Sequence, residues 1–199
     1  MLQITKIYES IIGEGIHAGR PAIFIRLHGC NLKCDFCEEE YTDYTEWEDL
    51  TLFNHLQKEF TDVGHVVFTG GEPTLQIVKV NRFIDLCNRL SQYEYLFHLE
   101  TNGTMHVDTS RFFHVAVSPK VVNLPNYAIH ELKIMHPFFS EIEIEGIVNI
   151  ATSRGILIKN IFIQPISPFT PETITEIVQI AKNTGVRLGF QIHKFYNMK

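Results

Sequence analysis

Apolar residues recur along the chain in short runs bounded by turn residues: AIFIRLHG (22–29), HVVFTGG (65–71), YLFHLETNG (95–103), FHVAVSPK (113–120), ELKIM (131–135), IKNIFIQPIS (158–167) and VRLGFQIH (186–193). Rich in Val, Ile and Phe, they predict strands buried on both faces of a parallel sheet. Helical patterns lie between several of them. From Leu75 to Leu90, Val80, Phe83, Ile84 and Cys87 form one stripe at spacings of three and four. Thr170-Pro171 supplies a cap and a first-turn proline for a second helix, which Gly185 closes. Leu50 to Phe60 reads as a third, whereas from about 120 to 157 the signals are weak and a full complement of helices does not fit. Alternating strands and helices imply βαβ units with right-handed crossovers. The expected fold is α/β, an incomplete (partial) β/α barrel forming a single domain over residues 1–199. In such a barrel the functional residues lie where strands end and loops begin. Several runs end in polar or Gly/Pro groups: His28-Gly29-Cys30, Thr69-Gly70-Gly71-Glu72-Pro73, Glu100-Thr101-Asn102-Gly103, Ser118-Pro119-Lys120 and Gln164-Pro165.

Composition narrows the classes. The 199 residues are 45% apolar and 20% charged, as in an ordinary soluble globular protein. No run of about 18 apolar residues exists to span a membrane. MLQITKIYES carries no basic region followed by an apolar core, so no secretory signal is visible and a cytoplasmic location is expected. A formal charge of −6 argues against nucleic-acid binding through a broad basic face. In a reducing compartment, clustered thiols read as metal ligands rather than disulfides.

Three of the four cysteines crowd into HGCNLKCDFC, spaced C-x3-C-x2-C. Three readings stand. They can be small buried hydrophobes, although Lys33, Asp35 and Glu38 interleave or follow them as in a solvated loop. They can hold zinc with His28 as a fourth ligand, although zinc sites usually pair two ligand couples and no second couple is present. Or their thiolates can hold an iron–sulfur cluster, with one iron left open for a ligand. Cys87, on the apolar stripe of a helix, reads as core.

The cysteine spacing, with Phe36 just before the last cysteine, resembles the signature of radical S-adenosylmethionine enzymes, and TGGEP (69–73) resembles their loop for the methionine amino group. SIIGEGIHAGRPAIFIRLHGCNLKCDFC, TGGEPTL, LETNGT, AVSPK, ELKIM, IQPIS and FQIHKF stand in the order of the 7-carboxy-7-deazaguanine synthase family, and this similarity spans nearly the whole chain. The resemblance implies that Cys30, Cys34 and Cys37 bind three irons of a [4Fe–4S] cluster. The fourth iron would chelate S-adenosylmethionine, and one electron would cleave its sulfonium C–S bond to a 5′-deoxyadenosyl radical. The radical chemistry then belongs to the cofactor, and no side chain is assigned as catalytic. Cofactor contacts implied in this way are Phe36, Glu38, Gly71, Glu72, Ser118, Pro119, Lys120 and Gln164. The glycines would let backbone approach the cofactor, and Glu72 would accept from its ammonium.

The implied substrate is 6-carboxy-5,6,7,8-tetrahydropterin, converted to 7-carboxy-7-deazaguanine with loss of ammonia. Arg26 inside IFIRLHG is the candidate for its carboxylate, since an unpaired buried charge is otherwise costly. Ile11, Ile12, Gly13, Glu14, Thr69, Glu100, His193 and Lys199 complete the implied substrate set, with a satisfied strand histidine as the competing reading of His193. Two positions depart from the family: Ile12 stands where glutamine is usual, and Glu38-Glu39 where Asp-Thr is usual, the threonine there serving Mg2+. Glu39 is the candidate Mg2+ ligand at that position, beside two alternatives: that its longer stem leaves the site empty, or that Glu38, Glu39 and Glu40 form a solvated acidic loop. The resemblance also implies a homodimer and an electron donor such as flavodoxin or ferredoxin. Two rivals remain: a small radical enzyme that generates a glycyl radical on a partner protein, and a zinc-binding interaction module.

Overall fold

The structure, a computed structural model, describes residues 1–37, 43–92 and 94–195. In chain order its elements are β1 (Leu2–Ile11), β2 (Pro21–Leu27), β3 (Thr45–Trp47), α1 (Asp49–Glu59), β4 (His65–Gly70), α2 (Ile77–Leu90), β5 (Leu96–Thr101), β6 (His114–Val117), β7 (Glu131–His136), α3 (Glu141–Ser153), β8 (Ile161–Pro165), α4 (Pro171–Thr184), β9 (Arg187–Leu188) and α5 (Ile192–Phe195). The strands form one nine-stranded sheet in the order β3-β1-β2-β4-β5-β6-β7-β8-β9. From β2 to β9 every pairing is parallel, while β1 runs antiparallel to β2 and to β3. This is the partial β/α barrel expected, with an added antiparallel edge.

The parallel strands are buried because helices cover them. Phe68 on β4 and Phe83 on α2 are fully buried and meet edge-on at 6.2 Å between ring centroids, and Leu52 and Leu56 of α1 join the same core. The stripe of Val80, Phe83, Ile84 and Cys87 is the buried face of α2. Thr170 caps α4 in a reciprocal box with Thr173, and Gly185 ends it in the left-handed conformation at φ 76°.

The structure adds elements to the sequence reading. Strand β1 is not among the apolar runs read as strands, although Leu2 and Ile4 already alternate onto the core. Helix α3 falls where the signals were weak, yet Ser140 and Glu143 form a complete capping box at its start. The run 186–193 is a two-residue strand followed by a loop and α5, so His193 sits on a helical turn and not on a strand.

The sheet's open side is sewn by the C-terminal segment. Ile192 N donates to Gly13 O at 2.9 Å, and Gln191 Nε2 to Glu14 Oε1 at 2.7 Å. Those two contacts carry the chain's last described elements back to the end of β1.

Candidate active site

The cysteine loop leaves the end of β2 and is held from beneath by the loop after β4. Gly71 N donates to Leu27 O at 3.0 Å and Glu72 N to Gly29 O at 2.8 Å. A Cβ on residue 71 would overlap the Gly29 carbonyl, so only glycine permits this approach. The close approach is thus to the cysteine loop's own backbone. On its far side Asn31 bonds Thr104 at 2.8 Å and Asn102 at 3.0 Å. The loop hangs between two strand ends.

Glu72 is fully buried and engaged internally. Its Oε1 accepts from Thr74 N at 3.0 Å, Thr74 Oγ1 at 2.5 Å and Thr101 Oγ1 at 2.6 Å, and its Oε2 accepts from Asn102 N at 2.7 Å. All of these bonds are internal, where the resemblance implies that the side chain accepts from an ammonium. The carboxylate ties the ends of β4 and β5 together, and it is Gly70 and Gly71 that line the cavity above.

That cavity, of about 280 Å³, is lined by Cys30, Cys34, Phe36 and Cys37 on one wall and by Ser118, Lys120 and Gln164 on another. Lys120 Nζ donates to Ser118 Oγ at 2.8 Å and lies 5.8 Å from the Phe36 ring centre, while Pro119 between them is buried. Burial draws Lys120 below the usual ammonium range against the opposing pull of Cys34. Cys34 is itself held up, by burial first and by Cys37 and Cys30 after the lowering effect of Lys120. Cys30 and Cys37 thus both lie within electrostatic reach of Cys34. Leu32 N points at Cys30 Sγ at 3.4 Å, a backbone donor beside that sulfur.

Among the described residues, no three His, Cys, Asp or Glu side chains close on a single metal ion, and His28 packs against Tyr44 with ring centroids 4.5 Å apart. Three thiols spread along one cavity wall suit a cluster with one open iron. The buried Gln164 Oε1 meets no donor among the described residues and offers an acceptor beside the cavity.

A second cavity of about 240 Å³ adjoins the first, sharing Glu14, Thr69, Gly70, Glu100 and Gln191 as lining. It brings together Ile11, Gly13, Glu14, Arg26, Thr69, Glu100 and His193, seven of the positions singled out from the sequence. Arg26 Nε donates to Tyr8 Oη at 3.0 Å. His193 packs so closely on Gly13 that a Cβ there would overlap its ring. Ile12 is the exception: its side chain is buried with Ala22, Phe24 and Val67, and its backbone N and O bond Arg20 O and Gly19 N, both at 2.8 Å. It faces the core instead of the cavity. Glu38, Glu39 and Lys199 lie outside the described residues.

Between the two cavities stands a residue the sequence reading passed over. Lys133 of β7 is buried and bridges Glu14 at 3.0 Å and Glu100 at 2.9 Å, while Thr69 Oγ1 donates to Glu100 at 2.8 Å and Gln164 Nε2 to Glu14 at 3.0 Å. Burial opposes Glu14's charge. Lys133 and the bonds from Gln191, Lys133 and Gln164 outweigh it and hold the carboxyl at about 2. For Lys133 burial likewise works against the cation, and Glu100 and Glu14 reverse it, so its pKa is raised. The signal was present, a lysine inside the apolar run ELKIM.

Residues 24–124 match the family model described as Radical SAM superfamily. A 7-carboxy-7-deazaguanine synthase from Bacteroides thetaiotaomicron is 32% identical over 200 residues, with 100% of both chains covered. The synthase from Rickettsia prowazekii is 28% identical over 226 residues, covering 100% of this chain and 89% of the relative. In fold, the chain is similar to the crystal structure of QueE from Escherichia coli, with a TM-score of 0.69 at 22% identity, covering 96% of this chain and 94% of that one. With three thiols on the cavity wall, a superfamily match over half the chain and end-to-end similarity to named synthases, the chain belongs to the radical SAM superfamily and, within it, to the 7-carboxy-7-deazaguanine synthase family of enzymes.

Proposed function

We propose that the enzyme converts 6-carboxy-5,6,7,8-tetrahydropterin to 7-carboxy-7-deazaguanine with loss of ammonia. The observation that carries this reading is the second cavity, where one guanidinium and two carboxylates face a space that opens onto the thiol-lined cavity. A carboxylated pterin needs that pattern: a cation for its carboxylate and acceptors for the N–H groups along its ring edge. Arg26 suits the first task, and Glu14 and Glu100, kept near Lys133, suit the second.

Superfamily membership implies a [4Fe–4S] cluster and S-adenosylmethionine. Cys30, Cys34 and Cys37 would hold the cluster, and the wall formed by Gly70, Gly71, Ser118, Lys120 and Gln164 would hold the cofactor. When bound, the pair supplies a hydrogen-abstracting radical. The chain's own work is to orient the pterin beside that source, to keep water from it, and to hold charge at Glu14 and Glu100.

The test is anaerobic reconstitution with iron and sulfide, followed by incubation with S-adenosylmethionine, a reductant such as reduced flavodoxin, and the carboxytetrahydropterin. Deazaguanine product and one ammonium per turnover are expected. Cofactor cleavage with the pterin left intact would overturn the reading and favour a radical generator acting on a partner protein. A colourless protein that takes up zinc would overturn both.

A further inference from the structure

We propose that the base of the barrel is a proton port: a histidine-lined axial route that carries protons between solvent and the Glu14–Lys133–Glu100 cluster beneath the substrate cavity. The inference rests on the reaction proposed above.

Five of the ten histidines gather at the N-terminal ends of the strands. His65 and His98 share a hydrogen bond of 2.8 Å between ring nitrogens. His17, from the turn before β2, meets His98 and His114 edge-on at 5.0 and 4.6 Å between ring centroids. His114 lies 5.6 Å from His130 by the same measure, and its Nε2 is 3.6 Å from Glu131 Oε2. Barrel interiors are ordinarily filled by layers of branched apolar side chains. Imidazoles take part of that place here, beside the apolar Ile12, Ala22, Phe24 and Val67, and a wholly apolar filling would need no donors or acceptors.

The strand period joins this layer to the site. His98 and Glu100 are two apart on β5, as are Glu131 and Lys133 on β7, so each pair shares a face of its strand. Shared lining residues set the cavities in the same order. A base cavity of about 420 Å³ is lined by His17, His114, His130 and Asn160 among others. A narrow space of about 10 Å³, room for roughly one water, is lined by His17, His98, His114 and Glu131 below and by Glu14 and Glu100 above. Glu14 and Glu100 then line the substrate cavity. Base cavity, imidazole layer, narrow space and carboxylates stand in sequence.

The proposed reaction requires proton traffic. In a redox-neutral loss of ammonia, carbon gives up a proton, the C–N bond breaks with its electron pair leaving on nitrogen, and nitrogen departs as ammonium. One proton is taken from solvent per turnover. The two upper cavities are those that cofactor and substrate would fill, and the barrel axis offers an approach from the opposite end. A neutral imidazole accepts at one nitrogen and donates from the other. Burial first, then the neighbouring histidines and Arg20, hold His98 down to about 3, and burial, His114 and Arg20 hold His17 down to about 4. The rings would pass a proton on instead of storing it. Glu131, Glu14, Glu100, Lys133 and Arg20 are the charged groups around the route.

The test is turnover of the reconstituted enzyme and His114→Ala across pH, with and without imidazole. The variant should lose roughly 10-fold or more in product formation. The loss should be largest near pH 8, shrink near pH 6 and be restored by added imidazole. His17→Leu, on a half-exposed turn, blocks the same narrow space and should behave alike if His114→Ala fails to fold. Loss that is independent of pH and not rescued by imidazole would mark the histidines as packing and overturn the port. So would full activity in both variants. No product from the wild type would overturn the reaction reading and the port with it; product from the wild type with indifferent variants would overturn the port alone.

Discussion

Two cations lie within apolar strand runs, and the difference between them shows what a single residue discloses. Arg26 stood out in IFIRLHG because an unpaired buried charge is costly, and it lines the second cavity beside Tyr8. Arg26→Ala should leave the visible absorbance of the cluster intact and weaken binding of the carboxylated pterin by roughly 1.5–3 kcal/mol, the worth of a charge-assisted contact. Equilibrium binding of the pterin to the reconstituted protein reads this out, and equal affinity would remove Arg26 from the site. Lys133 carries the same signal in ELKIM, but its partners are 119 and 33 residues away in sequence, and no local pattern pairs them. Lys133→Met leaves two carboxylates facing each other without their shared cation. It should cost roughly 3–5 kcal/mol in urea denaturation. The double variant with Glu14→Gln should recover part of that loss; a variant as stable as wild type would mean the cluster is solvated and energetically idle. Cys87 needs no such partner. Burial pushes its thiol up to about 12, as an inert core group.

At the scale of elements, local sequence rules account for the helices and for the strand ends, and contacts between loops account for their function. The Thr170 box, Pro171 and Gly185 bound α4 as the sequence indicates. Thr170→Ala should cost about 1 kcal/mol in thermal or urea unfolding, the worth of a cap. The Ser140–Glu143 box was equally legible but stood in a stretch with no strong apolar period to frame it. The Gly-Gly-Glu-Pro loop is different. Read locally, its glycines offer backbone to a ligand; folded, Gly71 presses on Gly29, and Glu72 binds Thr74, Thr101 and Asn102. Gly71→Ala must push the cysteine loop from its seat. Reconstituted iron content and visible absorbance should fall, while far-UV circular dichroism stays near wild type because the barrel core is untouched. Full cluster assembly in that variant would show that the seat is not needed.

Across the whole molecule, the acid response should come from the barrel base. His98 is held far below its ordinary 6.5, to about 3, so the fold prefers its neutral form. Its contribution to stability is present above pH 6.5 and is lost as pH falls from there toward about 3, at up to about 1.4 kcal/mol per pH unit. Glu14, held at about 2, adds a loss that begins below its ordinary 4.5. Urea midpoints of wild type and His98→Phe should therefore converge or cross as pH drops below about 6.5, with the wild type falling more steeply. Parallel pH profiles would refute the assignment. The sequence by itself determined the barrel class, the crowding of three cysteines into one loop and which strand ends carry polar groups, because burial periodicity, capping and turn chemistry act over a few residues. Tertiary structure alone decided that His193 lies on Gly13, that Lys133 joins Glu14 to Glu100, that Ile12 turns to the core, and that five distant histidines share one layer. Those contacts depend on strand register and on how far the open sheet curls, and both are set by packing summed over the whole sheet rather than by any one segment.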